Sequence, residues 1–125
     1  MISSGLEYVS IQAIAPKAES SSELKKIFSA AELDYCFRHR PHLPRLAGTY
    51  AAKKAAFTAL RRAGKRVRLR DIDVTHGPSG RPGLFLRNRL EPGAAVSVSI
   101  SHTDTVAIAV CVFSHPDAQD PEKRT

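Results

Sequence analysis

There is no tryptophan in this chain and only one methionine, and Tyr and Phe make up all of a 6% aromatic content. Neither a helix-turn-helix nor an RRM-type aromatic motif is present, so nucleic acid is disfavoured as a partner. Cysteine is also scarce. Cys36 and Cys111 stand far apart, with no CxxC or Cys/His spacing. They read as small buried apolar residues in a reducing compartment, and a zinc site is disfavoured by the missing ligands. No apolar run approaches the roughly 20 residues of a spanning helix. The N-terminus has no basic start followed by an apolar block, so no signal peptide is read and the cytoplasm is the expected location. Acidic residues are missing from one long stretch: between Leu43 and Arg70 there is no Asp or Glu.

That same stretch carries Arg45, Lys53, Lys54, Arg61, Arg62, Lys65, Arg66, Arg68 and Arg70. The whole chain has a formal net charge of +7, and a stretch of this kind favours an anionic partner: a phosphate-bearing cofactor, an acidic protein or, as the weaker reading, nucleic acid. A plain solvated basic face is the alternative. The 125 residues suit one domain, and 42% hydrophobic with 25% charged residues is ordinary for a globular protein.

Leu46 to Leu60 (LAGTYAAKKAAFTAL) reads as a long helix. At 100° per residue, Leu46, Tyr50, Phe57 and Leu60 fall within one arc of about 80°. Lys53 lies inside that arc and Lys54 at its edge. A lysine on a buried face needs a negative partner. Tyr50 is expected in the core.

The remaining segments follow from turn signals. Gly5 to Ile14 mixes β-branched, aromatic and polar residues as a half-buried strand does, with Pro16 ending it. Ser29-Ala-Ala-Glu32 is a capping box, so a helix starts near Ala30 and runs through Phe37. Pro41 and Pro44 are expected to break it, and the long helix then runs to about Gly64. Val67 to Val74 alternates apolar and charged residues, a half-exposed strand. Residues 77–82 form a turn cluster and Leu84 to Leu86 a further strand. Ala95 to Ser101 alternates strictly. Val106 to Phe113 is nearly continuous in apolar residues, which suggests burial on both faces, and His102 to Thr105 is the hairpin connection between them. Residues 1–113 are read as one domain and 114–125 as a disordered tail. An α+β fold follows, a small antiparallel sheet with one long helix packed across it.

In this order the motifs resemble the holo-acyl-carrier-protein synthase type of 4′-phosphopantetheinyl transferase. The family strand G-I-D-I-V-E-I is matched by Gly5-Leu-Glu-Tyr-Val-Ser-Ile11, and F-T-x-x-E-L by Phe28-Ser-Ala-Ala-Glu-Leu33. The signature helix L-A-G-R-F-A-A-K-E-A-x-x-K-A-L aligns without a gap to residues 46–60. D-I-x-V is matched by Asp71-Ile-Asp-Val74, G-[KR]-P by Gly80-Arg-Pro82, and S-[IL]-S-H-T by Ser99-Ile-Ser-His-Thr103.

The resemblance implies a 4′-phosphopantetheinyl transferase-like fold and usually a homotrimer with sites at subunit interfaces. It implies transfer of phosphopantetheine from coenzyme A to a serine of an apo acyl carrier protein, in fatty acid or polyketide biosynthesis, with Mg²⁺ on the pyrophosphate. Glu7 stands for the metal-binding Asp. Glu7, Lys53, Lys54 and His102 are the candidate catalytic residues; Gly80, Arg81, Pro82, Ser101 and His102 are the candidate cofactor contacts. Lys25 and Lys26 lie on the early helix that meets acidic carrier helices in the family.

The chain departs from the pattern at chemical positions. Lys54 replaces a metal-binding Glu, Thr58 a Lys, Thr49 the Arg of the R-F pair, and Arg61-Arg-Ala63 a Gly-Thr-Gly. Both Mg²⁺ and coenzyme A binding are therefore in question, and three readings stand. One is a transferase with altered ligands. Another is a non-catalytic homologue that binds carrier protein. The third is a repurposed enzyme using acid/base chemistry on a carrier-bound or small acidic substrate. Two local readings accompany them. Glu7 is expected to pair with Lys53 or Lys54 as a substitute for the metal. His102 has a bland alternative as a turn cap, and Arg81 as an exposed turn residue.

Overall fold

The computed structural model describes residues 1–87 and 90–116. The elements are β1 (Ile2–Ser10), α1 (Ile11–Ala18), α2 (Ser21–Ile27), α3 (Ala30–Arg38), α4 (His42–Arg62), β2 (Ile72–His76), β3 (Pro82–Leu86), β4 (Ala95–His102) and β5 (Val106–Ser114), with a single 3-10 turn at Leu69–Asp71. An antiparallel sheet has the order β1-β5-β4, and β2 and β3 form a separate hairpin. No helix among the described residues is long and apolar enough to cross a membrane.

Helix α4 lies against one face of the three-stranded sheet, and alanine makes that approach close. Ala51, Ala52, Ala55, Ala56 and Ala59 are fully buried. On the sheet side Gly5 has no side chain to hold the helix away: a Cβ there would stand 2.1 Å from the Ala55 carbonyl oxygen. Near the other end of α4, a Cβ on Gly48 would meet Ile100 Cγ2 at 3.1 Å. The helix therefore crosses the sheet obliquely, from Ile100 in β4 to Gly5 in β1. Ser3 Oγ donates to the Ala59 carbonyl at 2.6 Å and Arg62 to the Ser4 carbonyl at 3.1 Å, which anchors the C-terminal turns to β1.

Four sequence expectations need correction. Strand β1 ends at Ser10, and Ile11–Ala18 is a helix that contains Pro16. Ile11, Ile14 and Ala18 recur at the helical spacing i, i+3, i+7, and Ile14 is buried. Pro44 does not interrupt α4. It sits in the first turn, where a backbone N–H has no intrahelical acceptor, so its loss costs nothing. The expected strand from Val67 starts only at Ile72. Asp71 accepts from the Arg68 backbone N–H at 3.0 Å and from its guanidinium, and this local bonding closes the turn before the strand.

The fourth correction concerns β5. Ala107, Ala109, Cys111 and Phe113 are buried, but Ile108, Val110 and Val112 are 45%, 38% and 39% exposed. Among the described residues only one face of this strand is covered. Tyr50 and Phe57 are half-buried at the margin of the core. Burial raises both thiols above the ordinary cysteine value, Cys111 to about 11. Of the expected tail, 114–125, Ser114 ends β5 and the His115 N–H donates to the Met1 carbonyl at 3.0 Å, while residues 117–125 lie outside the described residues.

Candidate active site

The buried lysine found its partner, and it was not Glu7. Lys53 is wholly buried, and its Nζ donates to Glu32 Oε1 at 2.8 Å. The same oxygen accepts from the Ser29 backbone N–H at 2.8 Å, and Oε2 accepts from the Val74 N–H at 2.8 Å. Glu32 thus ties together the start of α3, the middle of α4 and strand β2. Its capping-box role was legible in sequence. Its second role was not, because the partner is 21 positions away. Lys53 occupies the interior as part of the scaffold, with its ammonium sealed from any cleft.

Glu7 is half-buried on the helix-facing side of β1 and accepts from Thr58 Oγ1 at 3.1 Å. No ion pair joins Glu7 to Lys53 or Lys54, which overturns the expected Glu–Lys substitute for a metal. The physical reason is distribution: Lys53 is taken by Glu32, and Lys54 turns to the Tyr50 ring, with Nζ 5.5 Å from its centroid. Lys54 and Thr58 are one helical turn apart, so they share a face of α4 beside Glu7.

A second group converges at the other end of α4. A hollow of about 230 Å³ brings Gly80, Pro82 and His102 together with Tyr35, Arg45 and His76. Gly80 has φ +84°, a left-handed conformation that permits the tight return of the hairpin. His102 ends β4 exposed, its Nδ1 3.4 Å from the Thr103 carbonyl oxygen. The hairpin after it closes as expected, with Thr103 Oγ1 accepting from the N–H of Thr105 and of Val106. Tyr35 stacks on His76 at 3.7 Å with planes 5° apart, and on His39 at 4.1 Å. Burial, with Arg45 and His39 nearby, holds His76 below the ordinary imidazole value.

Two expected contacts lie elsewhere. Ser101 alternates onto the open face of the sheet with Ser97 and Ser99, away from His102. Arg81 flanks a neighbouring hollow beside Ser97 and Ser99. Sequence reading missed Tyr35, Arg45 and His76; only the helical i,i+4 relation of Arg45 to Thr49 hinted at one of them.

Glu7 and His102 are not neighbours within one chain. Glu7 is registered with Ala109, and Ala109 with Ile100, so β5 separates the two strands. Helix α4 crosses between the two groups.

Comparison with known proteins gives this arrangement its place. No family model matches the chain. A holo-[acyl-carrier-protein] synthase from Carboxydothermus hydrogenoformans is 36% identical over 121 residues, covering 90% of this chain and 98% of that protein. Among solved structures, a Chronobacterium ammoniagenes ACPS–CoA complex superposes with a TM-score of 0.81 at 25% identity, covering 94% of this chain and 99% of the other. A Helicobacter pylori holo-[acyl-carrier-protein] synthase in complex with coenzyme A has a TM-score of 0.69 at 28% identity, covering 91% and 100%. The fold is that of a small 4′-phosphopantetheinyl transferase. The chain belongs to the holo-[acyl-carrier-protein] synthase family.

The Mg²⁺ implied by the family fits these residues poorly. Among the described residues no three His, Cys, Asp or Glu side chains cluster as a metal site. Glu7 offers one carboxylate, already engaged by Thr58, and the neighbouring helix position carries an ammonium. At roughly 4 Å and an effective dielectric of about 20, each unit-charge interaction is on the order of 4 kcal/mol before desolvation, attractive for a carboxylate and repulsive for an ammonium. Wild type is expected to bind Mg²⁺ weakly and Lys54→Glu more tightly in calorimetric titration. Equal affinities would refute the charge argument.

Proposed function

We propose that this chain transfers 4′-phosphopantetheine from coenzyme A to a serine hydroxyl of an apo acyl carrier protein, within a reducing cytoplasm. The serine oxygen bonds to the phosphorus on the pantetheine side. The bond from that phosphorus to the bridging oxygen breaks, and 3′,5′-ADP leaves with that oxygen. The hydroxyl proton passes to a base, for which His102 and Glu7 are the candidates. The supporting observation is the convergence of Gly80, Pro82 and His102 on one hollow, in a chain with 36% identity to a curated synthase.

Phosphoryl transfer asks mainly for positioning and for cations on the phosphates. Lys54 supplies a point charge on α4, one helical turn from the Thr58 that bonds to Glu7. The basic loop after α4 extends the positive field. The acidic carrier meets Lys25 and Lys26, both exposed on α2. The direct test is incubation with coenzyme A, Mg²⁺ and an apo carrier protein, read by intact mass. A carrier gaining one phosphopantetheine supports the reading. An unmodified carrier at high enzyme concentration rejects it and favours a binding-only homologue.

The site reads as complete only in a trimer. Leu6 and Tyr8 in β1 are each 69% exposed, and they lie beside Val110 and Ile108 on the open sheet face. An apolar patch of this kind marks a contact surface. The family resemblance implies a trimer with sites at subunit interfaces, so groups that stand apart within one chain, Glu7 and His102, are proposed to come together between subunits. Val110→Asp puts a charge into that contact. It is expected to give a monomer by light scattering, folded but without transferase activity. A trimeric Val110→Asp protein, or a monomeric wild type, would count against shared sites.

A further inference from the structure

Thr49 stands where the family helix motif has an arginine, and its short neutral side chain brings no positive charge there. It is buried, with Oγ1 3.5 Å from Cys36 Sγ. One turn earlier on the same helix face is Arg45, only half-buried and lining the hollow with Thr49, Gly80, Pro82 and His102. No carboxylate lines that hollow. Arg45 makes no ion pair within 4 Å among the described residues, whereas Arg38, Lys53, Lys65 and Arg68 all do. A guanidinium left unpaired in a concave, acid-free setting is positioned for an external anion.

We propose that Arg45 replaces the arginine absent at Thr49 and binds a phosphate group of coenzyme A in the hollow bounded by Gly80, Pro82 and His102. The assignment rests on the transferase reading. The guanidinium offers two parallel N–H donors to a phosphate, a geometry lysine does not reproduce. His76 beside it is held below the ordinary imidazole value, so at neutral pH it adds no competing charge. Coenzyme A carries a 3′-phosphomonoester and a diphosphate, and either presents the same chemistry to Arg45.

The test is calorimetric titration of wild type, Arg45→Met and Arg45→Lys with coenzyme A, dephospho-coenzyme A and 3′,5′-ADP. Arg45→Met is expected to weaken coenzyme A binding about tenfold to a hundredfold, the range for a charge-assisted contact. Arg45→Lys should fall between it and wild type. If the contact is to the 3′-phosphate, dephospho-coenzyme A will bind all three proteins alike; if it is to the diphosphate, the ranking will persist. Thermal melts confirm that the variants fold, and should Arg45→Met not fold, the comparison of wild type with Arg45→Lys decides. Unchanged affinity in the folded variants overturns the proposal. Wild type that binds 3′,5′-ADP through Arg45 but modifies no carrier overturns the transferase reading and leaves this contact standing. Wild type that binds none of the three ligands overturns both.

Discussion

Gly5→Ala is expected to destabilise the fold severely. The added Cβ would stand 2.1 Å from the Ala55 carbonyl oxygen and 3.0 Å from both the Ala55 carbonyl carbon and the Ala59 nitrogen. All three are backbone atoms of α4, so no side chain can swing aside. Relief requires lifting the helix from the sheet over its whole alanine face. Overpacking of ordinary cores costs about 1–3 kcal/mol, with larger values where nothing can move. Small domains hold only about 5–15 kcal/mol in total. A drop in melting temperature of more than about 10 °C is therefore the expected minimum. Circular dichroism melts check it; a midpoint within a few degrees of wild type would mean that the helix and sheet can separate cheaply.

Lys53→Met should be nearly as damaging, for a different reason. The substitution leaves the Glu32 carboxylate buried with two backbone donors but no counter-charge. Breaking a buried pair from one side typically costs about 3–5 kcal/mol. Glu32→Gln strands the ammonium instead and should cost a similar amount. Urea denaturation of both variants gives the values, and a double-mutant cycle should show strong coupling. A Lys53→Met protein that is as stable as wild type but inactive would return Lys53 to the catalytic list. Glu7→Gln is expected to be mild, because Glu7 is only half-buried and its partner is the neutral Thr58 hydroxyl.

The long helix, the capping box at Ser29, the turn at Gly80 and the alternating β4 strand were all readable, because each is encoded within a few neighbouring residues. Lys53 illustrates where local reading stops. Its position on the buried arc demanded an anion, and the demand was right. The anion's identity depended on where α3 packs, which no spacing within α4 specifies. The same limit explains α1: the run from Gly5 to Ile14 contains both a strand pattern and the start of a helical one, and the boundary at Ser10 is set by where the sheet ends. The open face of β5 was not legible, because an apolar strand looks identical in sequence whether its second face is covered by its own chain or left open by it. At the candidate site, Gly80, Pro82 and His102 were found through motifs. Tyr35, Arg45 and His76 come from three separate segments and meet only in the fold.

The three bonds to Glu32 have an implication for how this protein can change over time. The β2–β3 hairpin, whose tip presents Gly80 and Arg81, is held by Val74 N–H to a carboxylate that solvent never reaches. Its direction is thus fixed from behind, independently of what stands at the tip. Pro78, Ser79 and Arg81 are exposed and can vary without re-aiming the hairpin, Gly80 alone being held to glycine by its left-handed backbone, and the half-buried Lys54 on α4 can vary as well. Inheritance can rewrite the chemical groups one by one while the frame that points them stays the same.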